Sequence, residues 1–158
     1  MFTELRRTDK AKTTREAEQI LAQALWGTLA LTLGDGYPYS VPVSHIYENG
    51  CVYFHSAIAG QKYTALLRGP KVCFSAVGEG TTKALPGRFT MAYASAIAFG
   101  QVSLVEDESE IVRILELITQ KYDPSATPES TAGYIKAHLE HCCVFKITVE
   151  HLTGKGIA

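Results

Sequence analysis

The sequence predicts an α+β fold, mainly β: a small antiparallel barrel with helices at its ends and in its gaps. Three observations predict it. Apolar runs of strand length follow one another across tight Gly/Asn/Asp turns, in hairpin order. Only a few segments carry helical periodicity, and they fall between or beside those runs. The chain has 158 residues, 46% of them hydrophobic, enough for one core and short for two, so residues 1–158 are read as a single domain.

Each element has its own signal. Thr13 or Thr14 caps a helix running to about Leu25, with Glu16 and Glu18 at its positive end and Ile20, Leu21, Ala24 and Leu25 on one stripe. Trp26 to Leu33 reads as a strand, and Gly34-Asp35-Gly36 as a hairpin turn. Tyr37 to Tyr47 is the return strand; Pro38 and Pro42 remove ladder donors and mark it as an edge or bulged strand. The Asn49-Gly50 turn leads into a strand from Cys51 to His55. A short helix follows, and Arg68-Gly69-Pro70 stops it. Lys71 to Val77 is a strand, 78–83 a loop, and Phe89 to Val105 a long strand bent or bulged at Gly100. Glu106-Asp107-Glu108 opens a helix with Ile111, Ile114, Leu115, Ile118 and Tyr122 on one face. Pro124 and Pro128 bound a linker, a helix spans about Thr131 to His141, and Cys143 to Val149 is the last strand. There are no internal repeats.

Charge excludes some partners. With 15 basic and 16 acidic residues the formal net charge is -1, so no strong field recruits nucleic acid or a membrane surface. No apolar run approaches the roughly 20 residues of a membrane helix. The N-terminal segment has basic residues without an apolar stretch behind them, unlike a signal peptide. The expectation is a cytoplasmic protein whose four cysteines, Cys51, Cys73, Cys142 and Cys143, stay reduced.

The segment 54–62, Phe-His-Ser-Ala-Ile-Ala-Gly-Gln-Lys, carries the chemistry. A strand that ends in small polar residues and turns through Gly60 into a helix leaves backbone N–H groups free for an anion. Ser56 and Gln61 add neutral donors and Lys62 a point charge. The competing reading is a polar strand-to-helix turn with a solvated lysine. His138, His141 and Cys142 lie three and four apart near a helix end, as a metal face or as histidines complementing the helix dipole.

The Pro38-Tyr39-Ser40-Val41-Pro42-Val43-Ser44-His45 strand, the Asn49-Gly50 turn, Tyr53-Phe54-His55-Ser56-Ala57 and Gly60-Gln61-Lys62 resemble the flavin site of the split-barrel flavoproteins, the superfamily of pyridoxamine 5'-phosphate oxidase. Leu5-Arg6-Arg7-Thr8-Asp9, Tyr93-Ala94-Ser95 with Gly100, and His151-Leu152-Thr153-Gly154-Lys155 resemble the branch containing nitroimidazole-resistance proteins. The resemblance implies an antiparallel split β-barrel holding FMN at a homodimer interface. It sets Ser40, Val41, Pro42, Val43, Ser44 and His45 along the flavin ring, and His55, Ser56, Ala57, Gln61 and Lys62 around the phosphate. Ser95 would come from the second subunit.

The chain departs from the oxidases, which carry arginines at the positions of Ser40 and Gln61 and a C-terminal substrate segment with tryptophan and arginine. The only tryptophan here is Trp26, which argues against pyridoxamine phosphate as substrate. Arg68 or Arg88 is a candidate supplementary base. His45 is the candidate catalytic residue, as proton donor or substrate anchor, set against a histidine filling a polar gap. The implied activity is an FMN-dependent oxidoreductase passing electrons from a reduced donor, such as NAD(P)H, to a small nitroimidazole or quinone-like acceptor. The alternatives are a flavin-binding carrier without turnover and a haem-binding split barrel.

Overall fold

The computed structural model describes residues 2–78 and 81–157, with side chains described outside 81–85 and 88–90. The elements in chain order are β1 (Ala11–Lys12), α1 (Thr14–Gln23), β2 (Gly27–Thr32), β3 (Pro38–Val43), β4 (Ile46–Glu48), β5 (Cys51–Ala57) and α2 (Gln61–Leu66). They continue as β6 (Lys71–Val77), β7 (Thr81–Leu85), β8 (Arg88–Leu104), α3 (Glu108–Tyr122), α4 (Pro128–His138) and β9 (Cys142–Ile157).

The strands form one antiparallel sheet in the order β3-β2-β6-β8-β9-β5-β4, with β1 added to β9 and β7 to β8. β3 and β4 are therefore opposite edges, yet only Ser44 and His45 separate them in the chain. Three Cα steps span at most about 11 Å, so the sheet must curl until its edges nearly meet. The result is a mainly-β split barrel, with Ser44-His45 crossing its seam.

Alternation fills the barrel. Leu29 and Leu31 of β2, Val52 and Phe54 of β5, Val72 and Phe74 of β6, Ala96 and Ala98 of β8, and Phe145 and Ile147 of β9 point inward and are buried. α1 seats Ala17, Ile20 and Leu21 in this same core. Its start is a capping box, with the Thr13 hydroxyl accepting from the Glu16 N–H and the Glu16 carboxylate accepting from the Thr13 N–H. α3 covers the outer face instead, packing Ile114 and Ile118 on Ile46, Cys51, Tyr53 and Val144.

Several sequence expectations shift. The return strand from Tyr37 to Tyr47 is two strands, because β2 begins at Gly27 and offers no partner beyond Val43, and β4 turns to pair with β5. Pro38 and Pro42 lie in an edge strand, as expected. The 78–83 loop is in part β7, since Thr81–Lys83 pair with Ala92–Thr90 across a Gly87 turn; 79–80 lie outside the described residues. Pro128 opens α4 rather than closing a linker: it follows a Thr127 cap, where its missing N–H costs nothing. The last strand continues past Val149 to Ile157, absorbing Glu150 as a bulge opposite Phe99/Gly100. Gly100 is the expected irregularity, since a Cβ there would meet the Thr148 carbonyl at 2.2 Å.

Candidate functional site

The turn between β5 and α2 is open toward solvent. Gly60 has φ +98° with no atom within 4 Å of a Cβ position, and α2 begins with no side-chain cap. Its first N–H groups are thus unclaimed by any capping side chain. Gln61 is exposed and Lys62 half-buried, its Nζ 5.9 Å from the Phe54 ring centre; burial lowers the Lys62 pKa. Arg68 reaches from the far end of α2 to the β2–β3 turn, with Nη1 lying 2.1 Å from where a Gly34 Cβ would stand. It lines a cleft of about 440 Å³ with Gln61, Thr64 and Asp35.

Strand alternation separates the predicted residues at this turn. His55 and Ala57 face outward, whereas Ser56 is 3% exposed and faces the core. The Ser56 hydroxyl donates to the Ala57 carbonyl at 3.1 Å, and the Cys143 thiol donates to the Ser56 carbonyl at 3.4 Å. The His55 pKa is lowered, first by desolvation and then by the Lys62 ammonium, so the ring is neutral at pH 7.

At the seam, Ser40, Pro42 and Ser44 are exposed, Val41 is half-buried and Val43 buried. Ser44, at the seam crossing between β3 and β4, shares a cleft of about 530 Å³ with His55 of β5. Tyr122 and Tyr134 line the same cleft.

His45 turns the other way. It is 0% exposed, edge-on to Phe74 with ring centres 4.7 Å apart, and its Nε2–H donates to the Leu21 carbonyl at 2.7 Å. A carbonyl only accepts, so Nδ1 is the unprotonated nitrogen, and it finds no partner among the described residues. Burial, and then the Lys121 charge, push the His45 pKa down to about 4.

Its backbone is also held. The His45 N–H donates to the Tyr122 hydroxyl at 2.8 Å, and the His45 carbonyl accepts from Lys121 at 2.9 Å. Lys121 also donates to Ala24 O at 2.7 Å, and Tyr122 contacts the Leu25 carbonyl. The last carbonyls of α1 are thus capped by side chains from β3–β4 and α3. Burial lowers Lys121 to about 8. Sequence reading put Tyr122 on the apolar face of its helix and missed both its capping role and Lys121; a lysine in the last turn of a helix was the only available signal for the latter, and it points to the wrong helix.

Ser95 lies on the outer barrel face, its hydroxyl 3.4 Å from the Lys155 carbonyl. Cross-strand rows there run Pro42–Thr28–Ser75–Ile97–Thr153 and Ser40–Ala30–Cys73–Phe99–His151. Apart from His151 these side chains are small or apolar, and they are part-exposed, while α3 lies on the other side of the barrel. Trp26, 66% exposed, rims a neighbouring cleft of about 570 Å³ with Leu25, Val77 and Ala94. His138, His141 and Cys142 do not form a metal face: among the described residues no group of three His, Cys, Asp or Glu is placed to hold a metal ion.

A family model described as pyridoxamine 5'-phosphate oxidase matches residues 13–156. No curated protein is significantly similar to the chain. Among solved structures, the chain is similar to a proposed 5-nitroimidazole antibiotic resistance protein from Bacteroides thetaiotaomicron, at 28% identity and a TM-score of 0.77, covering 91% of this chain and 84% of that one. It is similar to a proposed pyridoxamine 5'-phosphate oxidase from Listeria innocua, at 26% identity and a TM-score of 0.57, covering 85% and 90%. The flavocytochrome Anf3 from Azotobacter vinelandii shares the fold, with 18% identity and a TM-score of 0.77 over 98% of this chain and 72% of that one.

Proposed function

Because the chain belongs to the pyridoxamine 5'-phosphate oxidase family, we propose that it is a flavoprotein carrying FMN and passing electrons from a reduced donor such as NAD(P)H to a small nitroimidazole or quinone-like acceptor. The observation that carries this reading is the meeting of Ser44 and His55 in one cleft beside the Gly60–Lys62 turn. The turn fits a phosphate: an uncapped helix start, open space at Gly60, a neutral amide at Gln61 and a half-buried ammonium at Lys62. FMN, when bound, supplies the redox chemistry. The chain supplies the anion site through Gln61 and Lys62, and a polar edge through Ser44 and neutral His55. Ser56 shapes the turn from within, through its bond to the Ala57 carbonyl. The resemblance to a protein described in nitroimidazole resistance supports the acceptor class. Four unpaired thiols suit a reducing cytoplasm.

Homodimerisation is part of the proposal. The outer rows of β3-β2-β6-β8 include Ser40, Pro42 and the neighbourhood of Ser95, three of the residues expected at the flavin. A second copy on that face would bury them and bring Ser95 to its partner's site. The full burial of His45 favours a second reading, a flavin carrier without turnover, because the expected proton donor has no exposed surface.

The test is cofactor preference. FMN binds in preference to riboflavin, and Lys62→Ala weakens FMN by about 10- to 150-fold, the cost of one charge-assisted contact, with riboflavin nearly unchanged. Equal loss for both ligands, measured by fluorescence titration, removes the turn as a phosphate site.

A further inference from the structure

α4 buries only Thr131 and Ile135 against the rest of the molecule, and it leaves space between itself and α3. The cleft shared by Ser44 and His55 adjoins there a second, partly open cavity of about 260 Å³. The two have His55, Ile118, Thr119 and Tyr134 in common. None of the residues lining this second cavity is Lys, Arg, Asp or Glu; they are mainly Leu115, Ile118, Ile135 and the Tyr134 and histidine rings.

Tyr134 is the wall of this passage. It is 64% exposed, yet its ring is fixed by stacking on His138, with centres 4.2 Å apart and planes 26° apart. His138 Nδ1–H in turn donates to the Tyr134 carbonyl at 2.9 Å, which leaves Nε2 as its other polar atom. A prearranged aromatic face in a cleft that also holds the His55 ring suits a flat ring. An ion in this second cavity would find no Lys, Arg, Asp or Glu side chain as a counter-charge and would lose part of its hydration. An apolar cavity of about 150 Å³ takes a benzene ring, so this one holds one substituted ring or two fused ones.

We infer that the cleft between α3 and α4 is a binding pocket for an uncharged flat-ring molecule, with Tyr134 as its specificity-determining residue, and that it receives the electron acceptor. The acceptor assignment rests on the flavin reading above; the pocket itself does not.

The experiment uses the FMN-loaded protein at pH 8 and two probes of equal shape, 4-nitrobenzamide and 4-nitrobenzoate, titrated by saturation-transfer NMR. The amide binds, and the carboxylate binds at least about tenfold more weakly. Tyr134→Ala weakens the amide at least about fivefold and leaves the melting temperature unchanged, as its exposed side chain allows. Thr119→Phe, which fills the shared wall, causes the same loss. Amide binding indifferent to both substitutions, or carboxylate binding as tight as the amide, overturns the pocket even if FMN binds as proposed. A protein that fails to take up FMN but still holds the amide through Tyr134 overturns the flavin reading and the acceptor assignment, and leaves the pocket standing.

Discussion

His45 concentrates the chemistry of the seam in one residue. Its Nε2–H satisfies the Leu21 carbonyl, while Nδ1 is a buried acceptor without a partner. Protonating Nδ1 would bury an imidazolium beside the Lys121 ammonium, which is why the folded pKa falls from 6.5 to about 4. The folded value lies below the unfolded one, so between pH 6.5 and about 4 the unfolded chain binds more protons. Stability is therefore full above pH 6.5 and is lost as pH falls toward 4, by about 3 kcal/mol in all. His45→Leu removes that slope. It also costs about 1–3 kcal/mol at pH 7, since the Leu21 carbonyl loses its donor. Urea denaturation at pH 7.5, 6, 5 and 4.5 checks both; an acid slope equal in variant and wild type would assign it elsewhere.

Among the elements, α1 is positioned from both ends. Its N-terminus carries its own cap, whereas its C-terminus is capped by Lys121, Tyr122 and His45. Its middle rests on β9 at Gly154, where an added Cβ would stand 2.8 Å from Lys12 Cβ and 2.9 Å from Ala17 Cβ. Gly154→Ala therefore lifts α1 or spreads β1 from β9, and overpacking of this kind costs about 1–3 kcal/mol. The expected result is a lower urea midpoint at unchanged slope. A midpoint equal to wild type would show that α1 has room to shift, and that the seam contacts do not depend on its exact seat.

For the whole molecule, the asymmetry of cover is the main feature. α3 closes the outer face of β4, β5 and β9, and the rows through Thr28, Ser75, Ile97 and Phe99 remain part-exposed. Ile97 is 38% exposed in one of these rows, between Ser75 and Thr153. In a lone subunit, Ile97→Asp puts a carboxylate in water at little cost; in a dimer it buries an unpaired charge. Light scattering then gives about twice the 17.2 kDa chain mass for the wild type and the single mass for Ile97→Asp, with FMN uptake reduced in parallel. A wild type that is monomeric with FMN fully bound would sink the shared-site proposal.

Local chemistry was enough to place what neighbours in sequence decide. Thr13 with Glu16, the Asn49-Gly50 turn, the Gly60 entry to α2 and the Asp107 cap of α3 all act within three or four residues, and each element stands where its signal lies. The order of motifs likewise pointed to the split barrel that the family match and the neighbouring structures bear out. What the sequence could not decide were matters of pairing and facing. Whether 37–47 is one strand or two depends on where β2 begins, not on its own alternation. Whether His45 looks outward or inward depends on the seam, because a crossing between two edges belongs to neither strand's period. The capping of α1 by Lys121 and Tyr122, 97 residues away from the carbonyls of Ala24 and Leu25, and the cavity between α3 and α4 exist only once the chain is closed. Hydrogen bonds and cavities of that kind carry no local signature, since the groups that form them meet only in the tertiary fold.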